Sequence, residues 1–392
     1  MLSVEDLKVK GQTVFVRADF NVPLSDQGMI RDDTRMRASL PTINYLLGQK
    51  ARLVLASHLG RPKGKPDPAL SLKPVAEHLS KLLGREVLLA PDVAGAEVQK
   101  LKSGLKEGGI LLLENVRFHP GETKNDPELS RQLAEGVACF VNDAFGSSHR
   151  AHASVVGICD FVPERAAGYL LEKEVCYLSK AIHSPAKPYV VILGGAKSED
   201  KIPVIENLLN KADSVLIGGA MAYTFLKAEG YAVGKSLVEE DKIETARMIL
   251  AKAREKNVVF LLPQDHVLAT SIESGTIAKT VDRFPFPEDL LGVDIGPKTI
   301  AAYSAVIAQA KTIVWNGPLG VFESPAFAQG TMKIAMAVAD SGALSIIGGG
   351  DSIAAVEKAG VSAKISHIST GGGASLEFLA YETLPGIESL EK

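Results

Sequence analysis

Short apolar, β-prone runs alternate with helical patterns along almost the whole chain, and this alternation restricts the fold more than any other feature. It is the pattern of βα units wound around largely parallel sheets. In the first half, Thr13–Phe20, Arg52–Ser57, Glu86–Leu89, Ile110–Glu114 and Cys139–Asn142 read as strands. In the second half the strands are Tyr189–Leu193, Ser214–Ile217, Val258–Leu262, Thr312–Trp315 and Leu344–Ile347, with a small hairpin near Val267–Val281. At 392 residues the chain exceeds one ordinary core, so an α/β protein of two doubly wound parallel-sheet domains is expected. Leu170–Ile182 reads as a helix that ends before Ser184-Pro185, where one set of units stops and the other begins. It is the expected interdomain connector.

Composition narrows the function classes. No apolar run approaches the ~20 residues that a membrane span needs, and the start, MLSVEDLKVKG, has no apolar signal-peptide core. A cytoplasmic protein without membrane contact is expected. Cys139, Cys159 and Cys176 lie within or beside apolar sequence, form no CxxC pair and fit buried reduced thiols better than disulfides or a metal site. A net charge of −3 argues against nucleic acid as a partner, yet 11 of the 14 arginines fall in residues 1–170. Guanidinium forks suit multiply charged anions, so a small phosphate or carboxylate ligand is expected in the first half. Arg85 and Arg131 read instead as solvated helix residues.

Ligands collect outside the carboxyl ends of strands in open α/β sheets, so the loops after strands carry the functional reading. After the first strand comes RADFNVPL, where alternation puts Arg17, Asp19 and Asn21 on one face and Ala18 and Phe20 on the other. SHLGRPKGK follows the second, with His58 and Arg61 around a Leu59-Gly60 turn; ENVRFHPGE with Arg117 follows the fourth and NDAFGSSHRAH with Arg150 the fifth. Arg35 opens the next helix. The fold therefore brings Arg35, His58, Arg61, Arg117 and Arg150 to one end of one sheet. Asp143 and His149 could pair, but no serine or cysteine stands as their nucleophile, which argues against a hydrolytic triad.

The second half uses glycine and lysine where the first uses arginine. In YVVILGGAKSEDKIPVI a buried strand leads to Gly194 and Gly195, then to Lys197 and Lys201 at a helix start, a combination suited to phosphate. Gly218 and Gly219 would let a flat ring approach the backbone; Pro318 and Val321 would supply apolar walls and Glu323 an acceptor for ribose hydroxyls. IIGGGDS places Gly349, Gly350, Asp351 and Ser352 at another helix start, where a carboxylate beside phosphate is best explained by a bridging Mg²⁺. STGGGAS adds a further glycine turn. GYAVGKS imitates a P-loop, but Glu229 stands where GxxxxGK[ST] needs glycine. No strand is followed by GxGxxG, which opposes a dinucleotide dehydrogenase. A nucleotide-sensing module without turnover would have little use for the arginine cluster.

Eight motifs in order, RADFNVPL, SHLGRPKG, ENVRFHPGE, DAFGSSHRAHAS, GGAKSEDKI, WNGPLGVFE, IIGGGDS and STGGGAS, resemble those of the phosphoglycerate kinase family over nearly the whole chain. The family more often has Val at position 18 and Thr at position 352. The resemblance implies two Rossmann-like domains joined by a hinge helix: residues 1–170 for 3-phosphoglycerate or 1,3-bisphosphoglycerate and residues 171–375 for ADP or ATP with Mg²⁺. It also implies that residues 376–392 return to the N-terminal domain. Carried over by position, Asp19, Phe20, Asn21, Arg35, His58, Leu59, Gly60, Arg61, Arg117 and Arg150 would hold the phosphoglycerate. Lys197, Lys201, Gly218, Gly219, Pro318, Glu323 and Gly349 to Ser352 would hold the nucleotide, with Asp351 on the metal. Arg35, Lys197, Lys201, Gly371 and Gly372 are the expected catalytic set, in a monomer whose domains close for reversible phosphoryl transfer to ADP.

Overall fold

The apolar runs become two six-stranded parallel sheets in a computed structural model that describes residues 1–199, 201–282 and 286–391. The chain forms two compact units, one of Met1–Cys176 with the segment from Thr383 on, the other of Tyr177–Glu382. The first break falls within the helix Tyr169–His183. Among the described residues no helix is long and apolar enough to cross a membrane.

The first unit is built on β1 (Thr13–Ala18), β2 (Arg52–Ala56), β3 (Leu88–Leu89), β4 (Ile110–Leu112), β5 (Cys139–Asp143) and β6 (Arg165–Ala167), in the order β3-β4-β2-β1-β5-β6. All six residues of β1 are buried, because helices cover the sheet and leave the strand no solvent face. The chain winds outward from β1 through β2, then crosses to β5 and β6, so the strand order reverses direction beside β1. That switch point is where a crevice opens outside the carboxyl ends. Around the sheet, local chemistry sets helix limits. Asp126 accepts from the Leu129 amide at 2.9 Å to cap the helix Pro127–Ala134, and Pro127 at its first position has no N–H to satisfy. The buried Lys102 ammonium then donates to the Leu133 carbonyl at 3.0 Å at the other end. The last segment packs in the same unit: the Gly386 amide donates to the Ser148 carbonyl at 2.8 Å, and Asn142 Nδ2 donates to the Gly386 carbonyl at 3.2 Å.

The second unit contains β7 (Tyr189–Leu193), β8 (Ser214–Ile217), β9 (Val259–Leu261), β10 (Asp265–Ala269), β11 (Lys279–Asp282), β12 (Leu291–Ile295), β13 (Thr312–Asn316), β14 (Leu344–Gly348) and β15 (His367–Ile368). Its parallel sheet has the order β15-β14-β13-β7-β8-β9, and β11-β10-β12 form a small antiparallel sheet. Here the switch point lies between β7 and β13. The expected hairpin is β10 with β11. Three strands, β6, β12 and β15, add to those expected. β6 and β15 are three and two residues long, too short for an apolar run to stand out, and β12 carries a glycine and a buried aspartate.

Candidate functional site

The loop after β1 anchors the first cluster of polar groups. Asp19, almost fully buried, accepts from the Asn21 amide at 3.1 Å and from Arg35 Nη1 at 3.2 and 3.4 Å, while the same Nη1 reaches the Asn21 carbonyl at 3.2 Å. Arg35 stands in the first turn of the helix Thr34–Gly48, where the helix dipole disfavours a cation, and the Asp19 carboxylate offsets that cost. Its guanidinium stays partly exposed. Asn21 Oδ1 accepts from the Gly60 amide at 2.9 Å, and the Gly60 carbonyl accepts from Arg117 Nη1 at 2.9 Å. Three loops are thereby tied together.

Electrostatics shows how closely the basic groups converge. His58 is held well below the usual imidazole range, first by burial and then by Arg17, Arg117, Arg35 and His152. Burial, Arg17, Arg117 and Arg150 bring His152 down to about 4. His149 is lowered by burial and by Arg150 and Arg117. Burial likewise lowers Arg117, and Arg17 and Arg61 push it the same way. Groups from the loops after β1, β2, β4 and β5 therefore share one electropositive basin, whose imidazoles are neutral at physiological pH and whose guanidiniums stay charged. Arg61 and Arg150 are exposed on it.

In the second unit the loops after β7 and β13 interlock. The Gly194 amide donates to the Asn316 carbonyl at 2.9 Å and the Gly195 amide to the Pro318 carbonyl at 2.8 Å. Lys197 is exposed. Lys201, just before the helix Ile202–Leu208, directs Nζ to the Lys197 carbonyl at 3.3 Å. Gly349 precedes the helix Gly350–Lys358 with φ +89°, a backbone that a side chain would strain, and Asp351 projects exposed from that helix's first turn. Gly371 and Gly372 precede the helix Gly373–Tyr381. Glu323 is exposed.

The structure differs from the sequence expectation at several positions, one being Cys176, whose thiol is exposed on the helix Tyr169–His183 rather than buried. Phe20 and Leu59 are core residues with 0 and 2% exposure, packed into the hydrophobic core of the first unit, so their side chains are closed to a ligand and only their backbone groups can face one. Arg17 does not share an open face with Asp19 and Asn21; it is wholly buried in β1. Gly218 and Gly219 are glycines for packing: a Cβ on Gly219, where φ is +65°, would stand 2.4 Å from the Gly195 nitrogen. They let three loops meet, whatever lies above them. The Ser352 hydroxyl accepts from the Gly317 amide at 2.6 Å and the Gly371 amide is engaged by Ser369 Oγ at 3.2 Å, so both have internal duties. Ser154, Glu122 and Glu239 are buried or partly buried partners of the site loops, and no local pattern in the sequence distinguishes them.

Comparison with known proteins agrees over the full length. The family model described as Phosphoglycerate kinase matches residues 4–382. The phosphoglycerate kinase of Acidobacterium capsulatum is 57% identical, the match covering 99% of this chain and 98% of that protein; for Koribacter versatilis the figures are 55, 99 and 98%. The solved phosphoglycerate kinase of Coxiella burnetii superposes with a TM-score of 0.91 at 43% identity, covering 100% of this chain and 98% of the other. That of Pyrococcus horikoshii gives 0.86 at 35% identity with the same coverage. With glycine-rich loops at one switch point, a basic basin at the other and a match spanning both units, the chain belongs to the phosphoglycerate kinase family.

Proposed function

We propose that this chain divides the phosphoglycerate kinase reaction between its two units, the first holding phosphoglycerate and the second the nucleotide. The reaction itself is that of the family: the acyl phosphate of 1,3-bisphosphoglycerate passes reversibly to ADP, giving 3-phosphoglycerate and ATP. One observation carries the division. Five arginines and three histidines converge at the carboxyl end of the first sheet, and the second sheet offers glycine and lysine loops instead.

A terminal oxygen of ADP attacks the acyl phosphorus, the bond from phosphorus to the acyl oxygen breaks, and the carboxylate leaves. The attacking oxygen is already ionised, so no general base is needed, and positioning and charge neutralisation remain as the tasks of the protein. In this reading Arg35 faces the moving phosphoryl group and the leaving carboxylate. Lys197 and Lys201 balance phosphoryl oxygens, with the backbone at Gly371 and Gly372 as further donors. Asp19, Asn21, His58, Gly60, Arg61, Arg117 and Arg150 hold the glycerate and its remaining phosphate. Gly349, Gly350, Asp351, Ser352, Pro318 and Glu323 border the nucleotide. The Asp351 carboxylate fits a Mg²⁺ carried with the nucleotide: it is a hard oxygen donor, exposed and without an ion pair among the described residues. No group of three or more metal-ligating side chains occurs among the described residues, which suits an ion held mainly by phosphate and water. Such an ion would neutralise phosphate oxygens. We further propose a cytoplasmic monomer acting on small anions.

A coupled assay of ATP-dependent phosphorylation of 3-phosphoglycerate tests the reading. Turnover that vanishes on chelation and returns with added Mg²⁺ is expected; nucleotide binding without turnover would overturn it.

A further inference from the structure

Three buried polar residues lie in the motifs of the first unit, and the proposed reaction gives them no task. They are Arg17 in RADFNVPL, Glu122 closing ENVRFHPGE and Ser154 closing DAFGSSHRAHAS. Each has 0% exposure. Arg17 Nε donates to Ser154 Oγ at 2.9 Å, and the single Ser154 hydroxyl proton goes on to Glu122 Oε1 at 2.6 Å. The Ser154 amide donates to Glu122 Oε2 at 3.0 Å, so both carboxylate oxygens act as acceptors, the role of the ionised form; burial pushes this carboxyl up, and Arg17 and the two Ser154 hydrogen bonds act against that push. A buried cation and a buried anion are thus joined through one hydroxyl, each with its hydrogen bonds made.

The free end of this chain of hydrogen bonds is a histidine. Arg17 Nη2 lies 3.2 Å from His58 Nδ1, and the same nitrogen is steadied by Ser147 Oγ at 3.4 Å. A guanidinium has donors only, so Nδ1 must accept, and the ring's proton is left on Nε2. Among the described residues Nε2 has no hydrogen-bond partner. We propose that Arg17, Ser154 and Glu122 are positioning residues that lock His58 as a neutral imidazole with Nε2–H presented to an oxygen of the bound phosphoglycerate.

The surroundings support the neutral form. The ionisable groups acting on His58 are Arg17 from β1, Arg35 from the first turn of its helix, Arg117 from the loop after β4 and His152 from the loop after β5. Every one of them disfavours a second proton on the ring. His152 lies 3.7 Å from Glu122, too far for a hydrogen bond, and being neutral itself it neither competes for the carboxylate nor forms an ion pair with it. A basin of fixed guanidinium charge therefore gains one uncharged donor of set direction, which a freely titrating imidazole would not provide.

The inference rests on the reading of His58 as a phosphoglycerate contact, and its test separates the two. Long-range ¹H–¹⁵N spectra of the full chain labelled at histidine, with the His58 signal identified by its loss in His58→Gln, report the tautomer without altering the relay. Nε2–H with an unprotonated Nδ1, unchanged from pH 8 to pH 6, is expected. An Nδ1–H ring, or an imidazolium within that range, overturns the lock. Ser154→Ala should then mix the tautomers and raise the KM for 3-phosphoglycerate on the order of 10-fold, with little change in the KM for ATP; a wild-type spectrum and KM in that variant would remove Ser154 and Glu122 from the proposal. If instead the tautomer is as stated but His58→Gln leaves the KM for 3-phosphoglycerate unchanged, the lock stands and the contact reading falls.

Discussion

Ser198 gives both its backbone N–H and its hydroxyl to one oxygen of Glu239, at 2.7 and 2.6 Å. The Glu239 amide in turn donates to Thr224 Oγ1 at 3.1 Å, so the loop that carries Lys197 and Lys201 is tied to the buried face of the helix Met221–Ala228. Hydrogen bonds to a charged acceptor contribute about 1.5–3 kcal/mol, and their loss here would fall on the placement of the two lysines. Glu239→Ala should lower kcat/KM for ATP on the order of 10- to 100-fold. Glu239→Gln keeps an acceptor oxygen and should retain most activity. Steady-state kinetics on both variants decides, and equal losses would show that charge rather than anchoring matters.

Arg35 touches Asp19 and the Asn21 carbonyl through Nη1 alone, which leaves the rest of its fork for ligand. Charge at the moving phosphoryl group peaks in the transition state, so Arg35→Ala should reduce kcat by about 10²- to 10³-fold with a smaller rise in KM. The variant must be shown to be folded, since Asp19 loses its cation. A raised KM with unchanged kcat would reassign Arg35 to simple binding.

Asp351 projects from the first turn of the helix Gly350–Lys358. If it acts through the metal, Asp351→Asn should weaken Mg-nucleotide binding by roughly 10-fold or more and metal-free nucleotide binding hardly at all, because a bare carboxylate repels phosphate. Calorimetry with and without Mg²⁺ distinguishes the cases, and equal losses would refute the metal role.

How far the sequence reveals the molecule depends on whether a feature is local. β7 and β8 run over the same residues as expected, since an apolar run bounded by turn residues identifies itself. The two residues of β15 form a strand only because β14 lies alongside. The site divides in the same way. Arg35, Arg61, Arg117 and Arg150 lie in segments that follow strands, and spacing alone singles them out as candidates. Arg17 lies within β1 instead, wholly buried, and its partners Ser154 and Glu122 lie 137 residues further on and 32 residues before Ser154. Residues that position others through long-range contacts leave no periodic trace. Glycine is ambiguous for a related reason: Gly219 reads as an opening for a ligand and is required by the approach of Gly195.

Asp143 ends β5 inside the protein, where Oδ1 accepts from the Leu170 and Leu171 amides at 2.9 and 3.3 Å, and Oδ2 is buried without a hydrogen-bond partner. Burial raises its carboxyl to about 7, and the hydrogen bonds from the Leu171 and Leu170 amides, which pull the other way, do not offset that cost. An unfolded aspartate titrates near ~3.9, so between about pH 4 and 7 the folded chain holds a proton that the unfolded chain has released. The folded state binds more protons in that window, and stability therefore falls as pH rises through it, by up to ~1.4 kcal/mol per pH unit from this group alone. Asp143→Asn preserves the acceptor for the two amides and removes the titration. Melting temperatures at pH 5.5 and 7.5 should show the wild type losing several degrees relative to the Asn variant as pH increases. Parallel shifts in the two proteins would mean that Asp143 carries no proton in the folded state, and that Oδ2 is stabilised there as an anion.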